Sequence, residues 1–213
     1  MDNQLEKIVD LIYGQILHKL KESGFIEIEA SGRHIHLSRE EVEELFGKDY
    51  QLTKVKDLSQ PGQYVCKERV TLIGPKGTIP NVVVLGPERE HSQIEISKTD
   101  ANILGIHPHL KASGKIEGTP GIEMSVHGKT ISLRSGVIVA ERHIHMRPED
   151  ANPFSLKDGD RVDVEVNTER PVIFKNVNVR VSDKADTFMH IDYDEANACG
   201  LSGKTYGLIK KRL

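Results

Sequence analysis

The chain has 213 residues and a formal net charge of −3, with 29 Lys and Arg against 32 Asp and Glu. It is long enough to bury a core of its own, and its charge balance gives no general attraction to nucleic acid or to acidic membranes. The two cysteines, Cys66 and Cys199, cannot make a disulfide framework, which predicts a reducing compartment, and no stretch approaches the roughly 18 apolar residues of a membrane span.

Residues 3–21 are predicted to form one amphipathic helix that ends before Gly24. Acidic residues in its first turns do not fit a secretory signal. Two interpretations stay open: the helix packs on the body of the protein, or it is a docking tag that lays its apolar face on a partner. The apolar residues that recur at helical spacing are Leu5, Ile8, Val9, Ile12, Ile16, Leu17 and Leu20.

After Gly24 the chain is predicted to be mainly β. Short segments rich in β-branched residues often alternate in polarity and are separated by Gly, Pro and Asn. This pattern is typical of small β-barrels or of a sandwich. The helical signals are brief: Ser38 is a predicted N-cap with Gly47 as a stop, and Pro148 is a predicted first helical residue.

An internal repeat relates the two halves of the chain. QIEISKTDANILG (93–105) aligns with FMHIDYDEANACG (188–200) at an offset of 95, and the same offset pairs Asn81 with Asn176. HIH occurs at 34–36 and again at 143–145. We therefore predict two related halves, each with a His-x-His element, a short helix, strands and an Ala-Asn turn, and the choice between small barrels and a sandwich stays open.

The two His-x-His elements predict metal binding. Residues i and i+2 of a strand point to one side, so each histidine pair can act as a two-point ligand. The repeat aligns Glu95 with His190, and both residue types can supply a third ligand. Since a catalytic zinc has three protein ligands and an open position, we predict two metal sites. The ligand sets are His34, His36 and Glu95, and His143, His145 and His190.

Two further segments offer anion-binding groups. Arg89 follows a Gly-Pro turn six residues before Glu95, where it could clamp a phosphate or carboxylate, although a surface arginine fits the pattern equally well. Ser113 lies in KASGK, which suits an anion nest but is also typical of a solvent loop. A third His-x-His, at 107–109, contains Pro108 and is predicted to be a turn without a metal role.

The longer motifs resemble one family of enzymes. The chain is similar to the PduL-type phosphotransacylases, which are phosphate propanoyltransferases, over almost its whole length. The matching segments, in order from residue 31 to residue 200, are SGRHIHLS, QPGQYVCKERVTLIGPKG, VVVLGPER, SQIEISKTDA, LGI, SG, GTPGI, SGVIVAERHIHMRPEDA and MHIDYDEANACG.

The resemblance implies reversible conversion of a short acyl-CoA (propionyl-CoA or acetyl-CoA) plus phosphate to an acyl phosphate plus CoA. It implies a mainly β fold of two small β-barrel domains, related by the internal repeat and capped by short α-helices. The domains would be an N-terminal amphipathic helix at 1–22, one β-barrel from 23–32 plus 141–213, and a second from 33–140. It also implies two Zn²⁺ per subunit on the predicted ligand sets, with the CoA sulfur at the open position of the first and waters on the second. Arg89 would hold the phosphate, and Ser113 would donate to phosphate or to the oxyanion.

The remaining implications concern partners. A homodimer is expected, and the N-terminal helix would direct the enzyme to shell or core proteins of a bacterial microcompartment, such as one for propanediol degradation; a free cytoplasmic enzyme is the alternative. CoA would contact Ala30, Ser31, Gly32, Lys76 and Val83, with Asn197 nearby.

Other functions remain to be weighed against this one. A bicupin-like oxygenase or decarboxylase also uses His-x-His followed by a glutamate, and Glu40 and Glu149 stand at about that spacing. Both glutamates, however, are predicted to begin helices, where an acid suits the N-terminus. A purely structural zinc would need four protein ligands, whereas each half offers three. Cys199 has no sequence cue for a neighbouring base, so a cysteine nucleophile is not expected.

Overall fold

The computed structural model describes residues 2–210. Residues 1 and 211–213 of the predicted domains lie outside this description, as does the side chain of Leu17 in the predicted apolar stripe. The described helices are α1 (Asp2–Glu22), α2 (Arg39–Phe46), α3 (Lys98–Leu104), α4 (Pro148–Ala151), followed by a 3-10 turn at Asn152–Phe154, and α5 (Tyr193–Ala198).

The described strands outnumber the helices, which confirms the mainly β prediction. They are β1 (Phe25–Ala30), β2 (His34–His36), β3 (Lys54–Asp57), β4 (Tyr64–Ile73), β5 (Thr78–Gly86), β6 (Gln93–Glu95), β7 (His109–Lys111), β8 (Ile122–Val126), β9 (Lys129–Leu133), β10 (Val137–Ala140), β11 (His143–Met146), β12 (Arg161–Val166), β13 (Val172–Val181), β14 (Phe188–Ile191) and β15 (Thr205–Lys210).

The chain forms two compact units, each discontinuous in sequence. The first unit combines the chain up to Glu29 with His143–His190 and with the chain from Ala198 onward. The second combines Ala30–Arg142 with Ile191–Asn197.

The first unit contains a closed barrel in the order β1, β14, β11, β13, β12, β15. Its strands show the expected alternation: in β12, the side chains of Val162, Val164 and Val166 are buried, and the polar residues between them are not. The buried core of this barrel also includes Ile26, Ile28, Ile144, Val177, Val179 and Met189.

The second unit contains a nine-stranded sheet. Eight strands follow the order β7, β10, β6, β2, β5, β4, β8, β9, and β3 pairs with β4. Of the two predicted barrels, the described residues therefore show one as closed. The buried apolar core of the second unit includes Ile35, Leu72, Ile94, Leu104, Met124 and Val137.

The short helices begin and end at the predicted residues. Ser38 caps α2 through its side chain, and Gly47 follows the last turn with φ of 115°. Pro148 is the first residue of α4, where its missing N–H leaves no bond unmade. The prediction that residues 107–109 form only a turn is wrong in part, because His109 begins β7, which pairs in parallel with β10.

The helix α1 spans Asp2–Glu22, close to the predicted 3–21. Most of its described apolar side chains are exposed, with Leu5 at 64% and Ile16 at 52%, whereas Leu20 near its end is half-buried. This exposure does not fit a helix that packs its whole apolar stripe on the body of the protein. Polar contacts hold α1 within the first unit, since Lys21 Nζ lies 3.2 Å from Asp150 Oδ2. None of the described helices has the length and apolarity that crossing a membrane requires.

Candidate metal centres and their surroundings

Strand pairing places Glu95 and His190, the two predicted third ligands, each directly opposite a histidine. In the second unit, β2 runs antiparallel to β6 with His34 opposite Glu95. In the first unit, β11 runs antiparallel to β14 with His143 opposite His190. Directly opposed residues share a face of the sheet, and so do residues i and i+2 of one strand. Each His-x-His element and its opposed partner therefore lie on one face.

The first set, His34, His36 and Glu95, is buried and converges. Its members each offer a ligand atom within 4.8 Å of the others. His34 Nε2 lies 3.7 Å from Glu95 Oε2, and His34 Nδ1 lies 2.8 Å from the carbonyl oxygen of Gly32. The carbonyl requires a proton on Nδ1, so in the neutral ring the lone pair of Nε2 faces Glu95. An imidazole held through one nitrogen by a backbone carbonyl is the usual arrangement of a metal ligand.

His36 lacks an ordinary set of hydrogen bonds. Its Nε2 lies 2.8 Å from Arg89 Nη2, whose N–H donates to it, while its buried Nδ1 makes no hydrogen bond of ordinary geometry and has only the Leu85 backbone near it. The observation that bears on a metal is the convergence of the three donor side chains, which lie within 4.8 Å of one another. The donor set of two imidazoles and one carboxylate is also a known catalytic zinc arrangement. The residues present therefore fit a zinc ion.

Burial and mutual charge fix the protonation of the first set. Burial is the largest influence on His34, but the Glu95 carboxylate opposes it and raises the pKa of His34 above its ordinary value. The same attraction outweighs the burial of Glu95 and holds the pKa of its carboxyl well below the usual range. Burial, His34 and Arg89 lower the pKa of His36 to about 3. Glu95 is thus anionic and His36 neutral, which are the forms that bind a metal.

The second set, His143, His145 and His190, also converges within 4.8 Å. His143 Nε2 lies 3.1 Å from His145 Nε2. This distance is close to the separation of about 3.3 Å between two nitrogen ligands of a tetrahedral zinc ion. His190 Nε2 is buried without a hydrogen bond, although Glu29 Oε2 is 3.3 Å away. Three imidazoles with an unmatched nitrogen fit a catalytic zinc as well.

Arg89 and Ser113 lie beside the first set. Besides its contact with His36, the Arg89 side chain reaches Ser113 Oγ at 3.4 Å. Its backbone N–H donates to the carbonyl of Leu37, directly after β2, which fixes the loop that carries it. Ser113 also forms a side-chain hydrogen bond with Glu95 that helps to lower the pKa of that carboxyl. Both residues are half-buried, so the arginine is not the surface residue of the alternative interpretation.

Gln93 is a residue of this site that the sequence analysis missed. It is buried, two residues before Glu95 on the same face, and its Nε2 donates to Glu95 Oε1 at 2.6 Å and to Ser113 Oγ at 2.9 Å. Its Oε1 accepts the backbone N–H of Gly114 at 2.7 Å. Gln93 thereby ties the loop of Ser113 to the third ligand. The signal in the sequence is its position two residues before Glu95, which places both side chains on one face of β6.

The predicted CoA contacts are spread over the second unit. Ser31 and Gly32 directly precede β2, and Val83 is opposite His34 in β5. Lys76 is exposed at the turn between β4 and β5, where its backbone N–H donates to the carbonyl of Leu104. Its described contacts do not include the metal set. The two remaining positions are Ala30, which ends β1 and is half-buried, and Asn197, which is exposed on α5.

The residues that a bicupin-like enzyme or a cysteine nucleophile would use lie outside both converging sets. Glu40 and Glu149 are exposed in the first turns of α2 and α4, as predicted, and belong to neither converging set. Cys66 and Cys199 are both fully buried. Burial and the nearby Glu68 raise the pKa of the Cys66 thiol to about 11. A thiol in that state is a poor nucleophile.

The cysteines are therefore expected to be inert in the folded protein. A thiol-reactive aromatic disulfide should label neither Cys66 nor Cys199 within minutes, because both side chains are buried and the thiolate is the reactive form. The same reagent should release two equivalents from the denatured chain. Rapid stoichiometric labelling of the folded protein would contradict this reading and reopen a role for cysteine.

Comparison with known sequences identifies the family. The sequence model of a family described as phosphate propanoyltransferase matches residues 27–202. A relative of that name from Clostridioides difficile is 53% identical over 212 residues, which are 100% of both chains. One from Enterococcus faecalis is 53% identical over 211 residues, 99% of this chain and 97% of the relative. One from Thermotoga maritima is 48% identical over 201 residues, 90% of this chain and 95% of the relative.

These matches define the chain first as an enzyme of the phosphotransacylase class. The family match covers most of the chain and the relatives cover it nearly end to end. The chain belongs to the phosphate propanoyltransferase family. The resemblance noted from the motifs is thereby confirmed, and the bicupin-like oxygenase or decarboxylase is not favoured.

Proposed function

We propose that the chain is a zinc-dependent phosphate acyltransferase that interconverts propionyl-CoA or acetyl-CoA plus phosphate with the acyl phosphate plus CoA. The observation that carries the proposal is the 2.8 Å contact between Arg89 and His36, which puts a fixed cation against a candidate metal set. A reaction between anionic phosphate and a thioester needs such concentrated positive charge. The relatives' printed name supports phosphate as acceptor and propanoyl as acyl group.

The reaction forms one bond and breaks one. A phosphate oxygen attacks the thioester carbonyl, the carbonyl carbon forms a bond to that oxygen, and the C–S pair leaves with the sulfur as CoA thiolate. Zinc held by His34, His36 and Glu95 would supply Lewis acidity and a soft position for that thiolate. Arg89 would bind two phosphate oxygens through its planar guanidinium and hold the nucleophile in line. Ser113, beside Arg89, would donate to the phosphate or to the oxyanion.

The contact between Arg89 and His36 also suggests how the arginine becomes available. In the structure an N–H of Arg89 occupies the lone pair of His36 Nε2. One lone pair cannot serve both a guanidinium and a metal ion, so ligation through this nitrogen would free Arg89 for phosphate. Arg89 would then bind its anion only in the metal-loaded enzyme.

We assign a second zinc, completed by waters, to His143, His145 and His190. The unmatched His190 Nε2 supports this assignment. We also infer that the halves are related by the internal repeat. The shared register of His34 with Glu95 and of His143 with His190 supports it. A further sign is the positive φ at two repeat-related asparagines, 58° at Asn81 and 62° at Asn176.

The two units are proposed to correspond to the implied domains, 23–32 plus 141–213 and 33–140, with the helix 1–22 in front. CoA would contact the second unit at Ala30, Ser31, Gly32, Lys76 and Val83, with Asn197 nearby. Support comes from the position of the first three, which lead directly into β2 and its two histidines. Val83 supports it too, as the β5 residue opposite His34.

One experiment tests the function directly. Purified protein is incubated with propionyl-CoA or acetyl-CoA, with and without phosphate, while CoA thiol release is followed and bound metal is quantified. The proposal requires phosphate-dependent release, an acyl phosphate product and two zinc ions per chain. Thiol release without phosphate would instead indicate a thioesterase.

Gln93 provides a more local test of the first zinc site. Gln93→Leu is expected to weaken zinc binding there about 10- to 100-fold, because Glu95 would lose the donor that orients it. Competition with a chromophoric chelator measures the affinity. The matched control is Gln51→Leu, which changes an exposed glutamine of the same unit. An unchanged affinity in Gln93→Leu would remove Gln93 from the site.

We propose that α1 docks the enzyme onto shell or core proteins of a bacterial microcompartment. The support is its stripe of exposed apolar residues, which a partner helix could cover. Replacing Ile8, Ile12 and Ile16 with glutamine in the full chain should abolish co-sedimentation with shells and change kcat/KM less than about twofold. The control replaces Val55 and Ile173, which are exposed on strands. Retained co-sedimentation of the variant would remove α1 as the docking element, and a wild-type chain that fails to co-sediment would favour the free cytoplasmic enzyme. The expected homodimer is tested by light scattering.

A further inference from the structure

Each His-x-His element is preceded by an arginine that binds a helical acid. Arg33 makes a two-point contact with Asp100: Nε lies 3.0 Å from Oδ2, and Nη2 lies 2.8 Å from Oδ1. Arg142 makes the corresponding contact with Glu195, with Nη1 at 2.9 Å from Oε1. Asp100 is in α3 and Glu195 is in α5. Neither pair is used by the mechanism.

Both acids have a second task at the start of their helices. Asp100 Oδ2 accepts the backbone N–H of Ser97, and Ser97 Oγ accepts the N–H of Asp100, each at 3.2 Å. Glu195 and Asp192 make the same reciprocal pair, at 3.2 and 2.8 Å. Such a capping box satisfies helix N–H groups that would otherwise be unpaired. Each acid therefore joins an arginine to a rigid helix N-terminus.

Arg33 holds the peptide that orients a candidate metal ligand. The carbonyl of the Gly32–Arg33 peptide accepts the His34 Nδ1 proton at 2.8 Å. The same peptide is confined from the other side, because a Cβ on Gly32 would lie 2.9 Å from the Tyr193 ring. With the Arg33 side chain anchored on Asp100, this carbonyl has little freedom to rotate. The hydrogen bond from Nδ1 to this carbonyl leaves Nε2 as the nitrogen that faces Glu95.

We propose that Arg33 and Asp100 are a positioning pair for the first metal set. They act through the Gly32 carbonyl on the tautomer and orientation of His34, without touching the metal or the substrates. Outer groups of this kind commonly tune metal affinity. The inference deepens the proposed function and rests on it, since it assumes that His34 is a ligand.

Two observations distinguish this role from general stabilisation. The Asp100 side chain is 3% exposed, and burying a carboxylate costs more than a partly exposed pair usually returns. The arrangement also occurs twice, each time with the arginine immediately before the histidine pair and the acid in the helix after the third ligand's strand. The buried cost applies to Asp100 alone, since Glu195 is 23% exposed, and the shared feature is that each pair ties a His-x-His strand to the helix that follows the third predicted ligand.

The test uses the double variant Arg33→Gln with Asp100→Asn, which avoids leaving a buried charge unpaired. Two properties of the metal-free protein are measured: its affinity for Zn²⁺, and the tautomer of His34 from ¹⁵N spectra at a pH where the ring is neutral. We expect about tenfold weaker zinc binding at one site and loss of the single Nδ1–H tautomer. The control is Lys54→Gln with Asp57→Asn, an exposed ion pair of the same sheet, which should change neither.

The outcomes separate the inference from the function on which it rests. A wild-type tautomer and zinc affinity in the double variant would overturn the positioning role. If the wild-type protein binds no zinc, the proposed function fails, and the tautomer alone decides whether Arg33 orients His34. Should the double variant not fold, Arg33→Lys replaces it, because lysine keeps the charge and loses the two-point contact. The same two measurements then apply.

Discussion

Replacing Glu95 with glutamine is expected to lower kcat/KM for acyl transfer by about 1000-fold or more. The substitution keeps the shape of the side chain and its bond from Gln93, but removes the only anionic ligand of the first set among the described residues. A zinc ion lowers the barrier of such a reaction by several kcal/mol, and each 1.4 kcal/mol is about tenfold in rate. Zinc content should fall from two ions per chain to one.

The matched control for this experiment is Glu123→Gln, which neutralises an exposed carboxylate on β8 of the same sheet. It should retain both zinc ions and wild-type kinetics. A Glu95→Gln enzyme that keeps its full metal content and activity would show that Glu95 is not a ligand. Loss of activity with full metal content would instead assign the carboxylate a role apart from holding zinc.

Replacing Arg89 with alanine is expected to lower kcat/KM for phosphate at least about 100-fold. The guanidinium is half-buried between His36 and Ser113, where its charge is poorly screened and two N–H groups can meet a tetrahedral anion. Arg89→Lys should recover only part of the loss, since an ammonium supplies charge without the planar fork. Steady-state kinetics with varied phosphate measures both variants.

The control for this second experiment is Arg134→Ala, which removes an exposed arginine of the same unit. Its kinetics should match those of the wild type. A near-wild-type value for Arg89→Ala would remove the arginine from the mechanism. A loss confined to thermal stability would mean that Arg89 serves only to satisfy His36.

The convergence of the six candidate ligands was accessible from sequence because strands have a period of two. The strand period places His34 and His36 on one face. The repeat alignment of Glu95 with His190 then predicts the third ligand of each set, without requiring knowledge of which strands pair. The register then places each third member opposite the first histidine of its pair. Metal binding itself stays a prediction, as do the CoA contacts.

Other features depended on information that local patterns do not carry. Gln93 forms hydrogen bonds with Ser113 and Gly114, in a loop about twenty residues away. The sequence around Gln93 does not predict these hydrogen bonds. Arg33 and Asp100 are similarly remote in sequence. The exposure of α1 could not be decided either, because an apolar stripe looks the same whether it faces a core or a partner.

The barrel of the first unit closes through a strand borrowed from far upstream. β1 is seated between β14 and β15, although more than a hundred residues separate β1 from the next strand of that barrel along the chain, β11. A protein fragment made of only the C-terminal half would lack β1, so the edges of β14 and β15 would be unpaired. Unpaired strand edges promote aggregation. A chimaera that takes its C-terminal half from another family member therefore also needs a β1 that fits between β14 and β15.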